Sequence, residues 1–432
     1  MKRLEWYFHI IAFVVQCGGI VPLLLRSGDD SPDLGTSNPL NTVATASILA
    51  VTLFLLLRHG RDAVRYLPRM WPIVGLALLA LASIAWSEYP DVTLRRAVSL
   101  LTAALWAWYL ASRYDLKDVV AMARQATGLM AISSLVIAVG MPSMGGEDPI
   151  GPAGWRGIFA TKNDLGMVMA IGTITYFYTL VTTRPRFRAL AIQLLGLVLC
   201  AGLLFLARSS TCWLITMLGM VLCLAVKATH KRVGVAIIIW AAIVLLLAPA
   251  VIIATNQLAA IAPLLGRDAQ LTGRVDLWLI LPSYIAERPW LGFGLGGFWV
   301  ADSENVALIW DTIGWNPPHA HEGWLDLLLE LGIVGLTLLS LQILQIVVRG
   351  IRAVVDGREP DSQYLIVTTF ILLIYNISES NLVRPGIMWV LLIIASTALA
   401  KLATQRKPIV AKRWRYGGFQ RPTPISPGGA AR

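Results

Sequence analysis

The sequence predicts an all-α, polytopic membrane protein, and three observations carry that prediction. Hydrophobic residues fill 56% of the 432 positions and charged residues only 14%. Apolar runs of membrane-crossing length recur along the chain, since a hydrocarbon core about 30 Å thick takes roughly 20 apolar residues in helical form. The runs are continuous rather than alternating, which excludes a barrel. Twelve candidate spans follow, at 6–25, 42–57, 71–86, 97–111, 119–139, 165–181, 189–207, 211–226, 233–254, 325–348, 364–378 and 387–403. They group as five N-terminal helices within 1–139, a second membrane domain over 140–403 with outer loops at 140–164 and 255–324, and a basic tail over 404–432.

Charge sets the predicted orientation, because loops rich in Lys and Arg stay cytoplasmic. With the N-terminus inside, most of the 36 basic residues fall on inside segments, among them Arg58, Arg61, Arg65, Arg69, Arg184, Arg186, Arg188, Arg349 and Arg352. Both termini are therefore expected in the cytoplasm. The net charge of +11 is mostly this bias, so the partners it implies are membrane lipids with anionic headgroups, and no nucleic-acid reading is needed. The first apolar run is too long for a signal peptide and lacks a small-x-small cleavage site, so an uncleaved first helix is expected. Cys17, Cys200, Cys212 and Cys223 fall in or beside apolar runs without metal-ligand spacing, and read as small core residues.

The outer loops carry the candidate chemistry. The first, 26–41, is acidic with Gly, Ser and Pro, and reads as a cap. In the second, Arg95 and Arg96 stand against the charge bias, and a surface cluster with Glu88 and Asp91 accounts for them. The third closes with Gly154-Trp155-Arg156-Gly157 and Thr161-Lys162-Asn163-Asp164. Arg156, Lys162 and Asn163 can bind an anion or sugar hydroxyls at a helix mouth; alternatively Asn163 or Asp164 is only an N-cap. The seventh and eighth spans are joined by the short turn Ala207-Arg208-Ser209-Ser210-Thr211. Arg208 either snorkels to water or grips a phosphate, whose oxygens a guanidinium matches two at a time.

The long interruption 255–321 organises the chain. Arg274 opens an amphipathic stretch that includes Trp278 and Tyr284, and the glycine-rich run Pro289-Trp290-Leu291-Gly292-Phe293-Gly294-Leu295-Gly296-Gly297-Phe298 reads as tight turns against the membrane. It lacks the strand, helix and lysine of a nucleotide loop. His319 and His321 follow. At i, i+2 they are expected to point apart on regular structure, and no further ligand cluster completes a metal site. A general base is better supported, since imidazole titrates near 6.5. Glu322 either orients that base or favours the next helix start electrostatically. Asp326 and Glu330, one turn apart inside the following span, are either functional carboxylates or partners for Arg and Trp donors. Glu379 and Arg384 in the last outer loop are expected to stand behind the site rather than in it.

In order and spacing, these pieces resemble the O-antigen ligase and polymerase superfamily, most of all its exopolysaccharide-polymerising branch. The resemblance covers roughly 150–400 and rests on Arg156-Gly-Ile-Phe-Ala-Thr-Lys162-Asn163, the Arg208 turn, Thr272-Gly-Arg274, the glycine-rich run and His321-Glu-Gly-Trp-Leu-Asp. Glu322 stands where that family commonly has Asn, and Ala207 where it often has Ser. The resemblance implies a GT-C-like multi-helix transferase in the bacterial inner membrane. It would use neither metal nor cofactor and would invert the sugar it transfers from undecaprenyl pyrophosphate on the periplasmic face. The acceptor would be a glycan or a lipid-linked glycan, with other polysaccharide assembly proteins as further partners. Arg208 and Arg274 are then expected to hold the pyrophosphate and His321 to take the acceptor proton. Arg156, Lys162, Asn163, His319 and Glu322 would line the substrate. Ligation of a finished glycan to lipid A core is the alternative within that chemistry; a polysaccharide transporter or a non-catalytic assembly subunit is the alternative outside it.

Overall fold

The computed structural model describes residues 2–19, 39–146, 154–228, 272–356 and 361–404. The expected ninth span at 233–254, most of the first outer loop, residues 255–271 and the tail from 405 lie outside the described residues. Every described element is helical, and no β-strand occurs among the described residues. In chain order the helices are α1 (Lys2–Gln16), α2 (Pro39–His59), α3 (Arg61–Val64), α4 (Trp71–Ala82), α5 (Pro90–Arg113), α6 (Leu116–Gly140) and α7 (Pro142–Gly145). They continue with α8 (Lys162–Thr182), α9 (Phe187–Ala207), α10 (Ser210–Ala228), α11 (Thr272–Glu287), α12 (Glu304–Ile313), α13 (Gly323–Val355), α14 (Ser362–Tyr375) and α15 (Ile387–Thr404). Among the described residues seven segments are long and apolar enough to cross a membrane: Pro39–His59, Leu67–Ala85, Leu116–Gly140, Lys162–Thr182, Phe187–Ala207, Gly323–Val355 and Ile387–Thr404. Ser210–Ala225 and Ser362–Tyr375 are shorter apolar helices.

Burial sorts these spans into centre and periphery. The most apolar windows of α8 and α15 are each 78% buried, against 22% for α9 and 11% for α2. Helix α8 is enclosed by α6, α9 and α10, while α15 lies between α5 and α13. The outer helices turn large apolar side chains outward, as Phe187, Ile192, Leu195 and Val198 do on α9. That is the expected surface of a helix whose solvent is lipid. Buried polar groups inside the bundle find partners across helices. Gln342 of α13 donates to Ser396 Oγ of α15 at 3.0 Å and accepts from the Ile73 N–H of α4 at 3.3 Å.

Segment 272–322 folds as a cap with its own small core, built around Leu277, Leu281, Phe293, Phe298, Trp299 and Ile309. Its attachment interrupts α13. At Gly332 the backbone turns to φ 60°, ψ −164°, a conformation open essentially to glycine alone. The helix groups released there bond to the glycine-rich run of the cap. The N–H groups of Phe293 and Gly294 donate to the carbonyls of Leu329 and Glu330 at 2.8 and 2.9 Å. Those of Ile333 and Val334 donate to the carbonyls of Pro289 and Trp290 at 2.9 and 3.2 Å. A kink made by inserted chain thus leaves no orphaned backbone group among these residues. The run is a docking segment, in line with its reading as tight turns.

In the second outer loop Glu88 departs from expectation. Arg95 and Arg96 lie inside α5, which begins at Pro90, and Arg96 donates to the Gly296 carbonyl of the cap at 2.9 Å. Glu88 pairs with Arg288 instead. Helix α5 carries Arg96 towards the cap, where the Gly296 carbonyl accepts from it.

Helix α13 starts at the N-cap Glu322, whose carboxylate accepts the Leu325 N–H at 2.6 Å. Burial raises the Glu322 carboxyl from 4.5 to about 7, and the N–H groups of Leu325 and Trp324 only partly oppose that.

Two outcomes are expected. Gly332→Ala forces a Cβ against the Trp290 carbonyl and the Leu291 amide in a backbone conformation costing about 1–3 kcal/mol. The thermal midpoint in detergent should fall, and amide exchange at 293–294 should lose its protection; wild-type exchange would refute the docking role. Because the Glu322 carboxyl is raised on folding, its contribution to stability is full below about 4.5 and is lost as pH rises through about 7. The midpoint of wild type relative to Glu322→Gln should therefore decline between pH 5 and 8. A constant difference would contradict it.

Candidate active site

The polar residues cluster where the cap meets the start of α13. Ala320 is fixed through both of its backbone groups. Its N–H donates to the Asp326 carboxylate at 3.1 and 3.2 Å, and its carbonyl accepts from Trp278 Nε1 at 2.8 Å. Asp326 also accepts from Trp299 Nε1 at 2.6 Å and lies 3.5 Å from Arg384, which in turn reaches Glu330 at 3.3 Å. Both carboxylates are buried, and a buried charge needs such partners. Of the two readings the sequence left open for Asp326 and Glu330, pairing with Trp and Arg is the one the structure displays.

The histidines flank this fixed residue. His321 has φ 52°, and with Arg208 at φ 50° it is one of two non-glycine residues in the left-handed region among the described residues. Such backbone is uncommon outside glycine and collects at functional sites. The turn at His321 overturns the expectation that the two imidazoles point apart, which holds only on regular structure. Their ring centroids are 4.1 Å from each other, and the His321 N–H donates to His319 Nδ1 at 3.0 Å. His319 therefore uses Nδ1 as an acceptor. Burial holds its pKa well below 6.5, reinforced by the neighbouring His321, Arg384 and Arg274, so it is neutral near pH 7.

Glu379, from the loop between α14 and α15, faces both rings. Its Oε2 is 3.5 Å from His321 Nδ1 and 3.9 Å from His319 Nε2. The 3.5 Å approach is not aligned as a hydrogen bond, which leaves the buried His321 Nδ1 without one. The other oxygen accepts from Asn163 Nδ2 at 3.0 Å and stands 3.7 Å from Arg274. Arg274 also donates to the Ser378 carbonyl at 3.1 Å. Burial alone would push the Glu379 carboxyl up, but His321 and Arg274 outweigh it and hold it below the ordinary carboxylate value. It is an anion at neutral pH.

Sequence reasoning set Glu379 behind the site, and the structure sets it at the centre of the cluster. The available signal was a carboxylate on the same side of the span alternation as His321. Conversely, Glu322 acts as the N-cap of α13, and the carboxylate facing the imidazoles is Glu379.

Asn163, Arg274, His319 and His321 come together around Glu379. Helix α8 is capped by Thr161 in a capping box with Asp164, rather than by Asn163 or Asp164, so the Asn163 amide is directed to Glu379. Arg208 ends α9 at the same end of the bundle. Its neighbour Ser209 packs near Gly166 of α8, and Cys212 lies 3.9 Å from the Asn163 carbonyl. Arg208 is solvent-exposed and Lys162 packs beside Gly154, next to the Ala207 carbonyl. Arg156 is buried, with its N–H on the Gly146 carbonyl at 3.2 Å.

His319, His321 and Glu379 also present donor atoms within 4.8 Å of one another, enough for a three-ligand cation site. The guanidinium of Arg274 beside the same carboxylate opposes a further positive charge there. As it stands, the arrangement is an imidazole backed by a carboxylate anion, with arginines nearby, at the end of an apolar bundle.

Comparison with known proteins agrees with this architecture. Residues 195–340, which include Arg208, Arg274, His319 and His321, match the family model described as O-antigen ligase. The chain is 23% identical over 335 residues to the exopolysaccharide production protein ExoQ of Rhizobium meliloti (strain 1021), an alignment that covers 74% of each chain. These two matches and the apolar helices support the resemblance of the chain to the O-antigen ligase and polymerase family of multi-pass membrane proteins.

Proposed function

We propose that the protein is a glycosyltransferase of the bacterial inner membrane that moves a glycan from undecaprenyl pyrophosphate to a sugar hydroxyl on the periplasmic face. The observation that carries this reading is the His321–Glu379 pair with Arg274 beside it. Glu379 facing Nδ1 favours the tautomer with its proton there, leaving the Nε2 lone pair for an acceptor hydroxyl. As the hydroxyl oxygen bonds to the anomeric carbon, its proton passes to Nε2. The bond from that carbon to the pyrophosphate breaks with its electron pair on the departing phosphate. Attack from the face opposite the leaving group inverts the sugar. Arg274 and Arg208 stabilise the charge that develops on the pyrophosphate, a role a metal ion often fills elsewhere. Asn163 holds Glu379, and Arg156 in the preceding loop and Lys162 at the start of α8 stand where the sugar enters. Glu379 is a positioning residue in this scheme.

Polymerisation of exopolysaccharide repeat units is favoured by the relative named for exopolysaccharide production. Ligation to lipid A core is the second reading, on the description of the matching family model. Incubating the purified protein with a lipid-pyrophosphate-linked repeat unit and resolving products by size separates them: a ladder supports the polymerase. Transfer only after lipid A core is added supports the ligase, and neither product with an accepted donor overturns the enzyme reading.

In that assay His321→Ala should reduce transfer by about 10²–10⁴-fold, the usual span for a general base. Glu379→Gln should lower kcat by at least about tenfold with little change in KM, and Glu379→Asp should restore part of it. Arg274→Lys should be impaired because lysine lacks the fork. A chelator should leave the rate unchanged. Near-normal transfer by His321→Ala removes it as base, and loss of activity with a chelator would turn the His319, His321 and Glu379 trio into a metal site.

A further inference from the structure

At the end of the bundle opposite the cap, three arginines converge on a cavity of about 300 Å³. Arg69 comes from the turn before α4, and Arg349 and Arg352 come from the last turns of α13. The wall behind them is apolar, made by Ala353 of α13 with Leu399 and Leu402 of α15. Among the described residues Asp356 is the single carboxylate lining the cavity, so three cations face one anion there. Among the described residues none of the three guanidiniums forms an ion pair, although Arg349 lies within the influence of both Arg69 and Arg352. The site is independent of the His321 cluster, since 28 residues of mostly helical chain at 1.5 Å each put it about 40 Å away.

An arginine at a membrane-helix end ordinarily snorkels to water by itself and complements the helix C-terminus. That accounts for each arginine singly and does not account for three sharing one cavity. Like charges gathered beside apolar walls repel one another with little screening, and an anion between them reverses the sign of the interaction. A phosphate group suits the space, because guanidinium forks match its oxygens. We propose that Arg69, Arg349 and Arg352 form a binding site for a phosphate group. A membrane-lipid headgroup is the source that fits the apolar wall, along which the lipid's chains would begin. The charge asymmetry of the sequence predicts this end to be cytoplasmic, where basic pockets between helices meet anionic headgroups.

The test uses the full-length protein, delipidated in a mild detergent, with native mass spectrometry and the thermal midpoint as readouts. Phosphatidylglycerol, phosphatidylcholine and inorganic phosphate are titrated separately. Phosphatidylglycerol should bind at least tenfold more tightly than phosphatidylcholine and raise the midpoint. Arg349→Gln combined with Arg352→Gln should abolish that preference. The exposed Arg69→Gln, which keeps both helix ends intact, should weaken it severalfold. Arg186→Gln with Arg188→Gln, outside the cavity at the same end, should leave it unchanged. Arginine-dependent stabilisation by inorganic phosphate without any lipid preference would retain the phosphate site and assign it a soluble ligand. Equal binding of both lipids with no response to phosphate, or wild-type affinity in the Arg69 and Arg349/Arg352 variants, overturns the proposal.

Discussion

The candidate site depends on one buried carboxylate. Asp326 lies in the first turn of α13, yet its partners come from elsewhere in the chain: Trp299 in the middle of the cap, the Ala320 amide of the histidine segment at the cap's end, and Arg384 of the loop between α14 and α15. Each partner satisfies part of a charge that would be costly to bury alone. Together they fix where the cap, the histidines and the loop carrying Glu379 sit relative to the membrane bundle. The Trp278 indole completes the arrangement by holding the Ala320 carbonyl. The residue between the two imidazoles therefore has neither backbone group free.

Such fixing is needed because His321 occupies strained backbone. A non-glycine residue at positive φ persists only where its surroundings determine its position, and at His321 that conformation brings the two rings together above Glu379. A regular strand would have sent them to opposite faces. The conformation that defeats the simple i, i+2 argument is thus the one that creates the cluster.

Seven of the twelve expected spans were legible in the sequence because their apolar runs are long and continuous, and lipid leaves backbone groups few other ways to be satisfied. The break in α13 was not legible. Gly332 sits in Leu329-Glu330-Leu331-Gly332-Ile333, which reads as ordinary span, and the chain that fills the break comes from forty residues upstream. His321, Arg274 and Asn163 could be singled out because polar and basic residues stood out against apolar flanks at the mouths of spans. Glu379 was undervalued for the opposite reason. It follows His321 by 58 positions and by a whole span and return, and only tertiary packing shows which outer-loop carboxylate meets the imidazole. The neighbouring Glu322 looked the better candidate by proximity in sequence, but a residue just ahead of a helix finds unpaired amides closer at hand than any ring.

Arg208 extends the argument about strain to the other candidate residue with left-handed backbone. The turn it ends is held from outside by the third outer loop, where the Trp155 N–H donates to the Leu206 carbonyl at 2.9 Å and Gly154 packs too closely on the Ala207 carbonyl to admit a side chain. The loop therefore shapes the Arg208 turn with its backbone, while the Asn163 side chain just beyond it holds Glu379. One segment thus braces a candidate phosphate-binding arginine and, nine residues later, the carboxylate behind the candidate base. A substitution at Gly154 would act on both through geometry alone, without contacting a substrate.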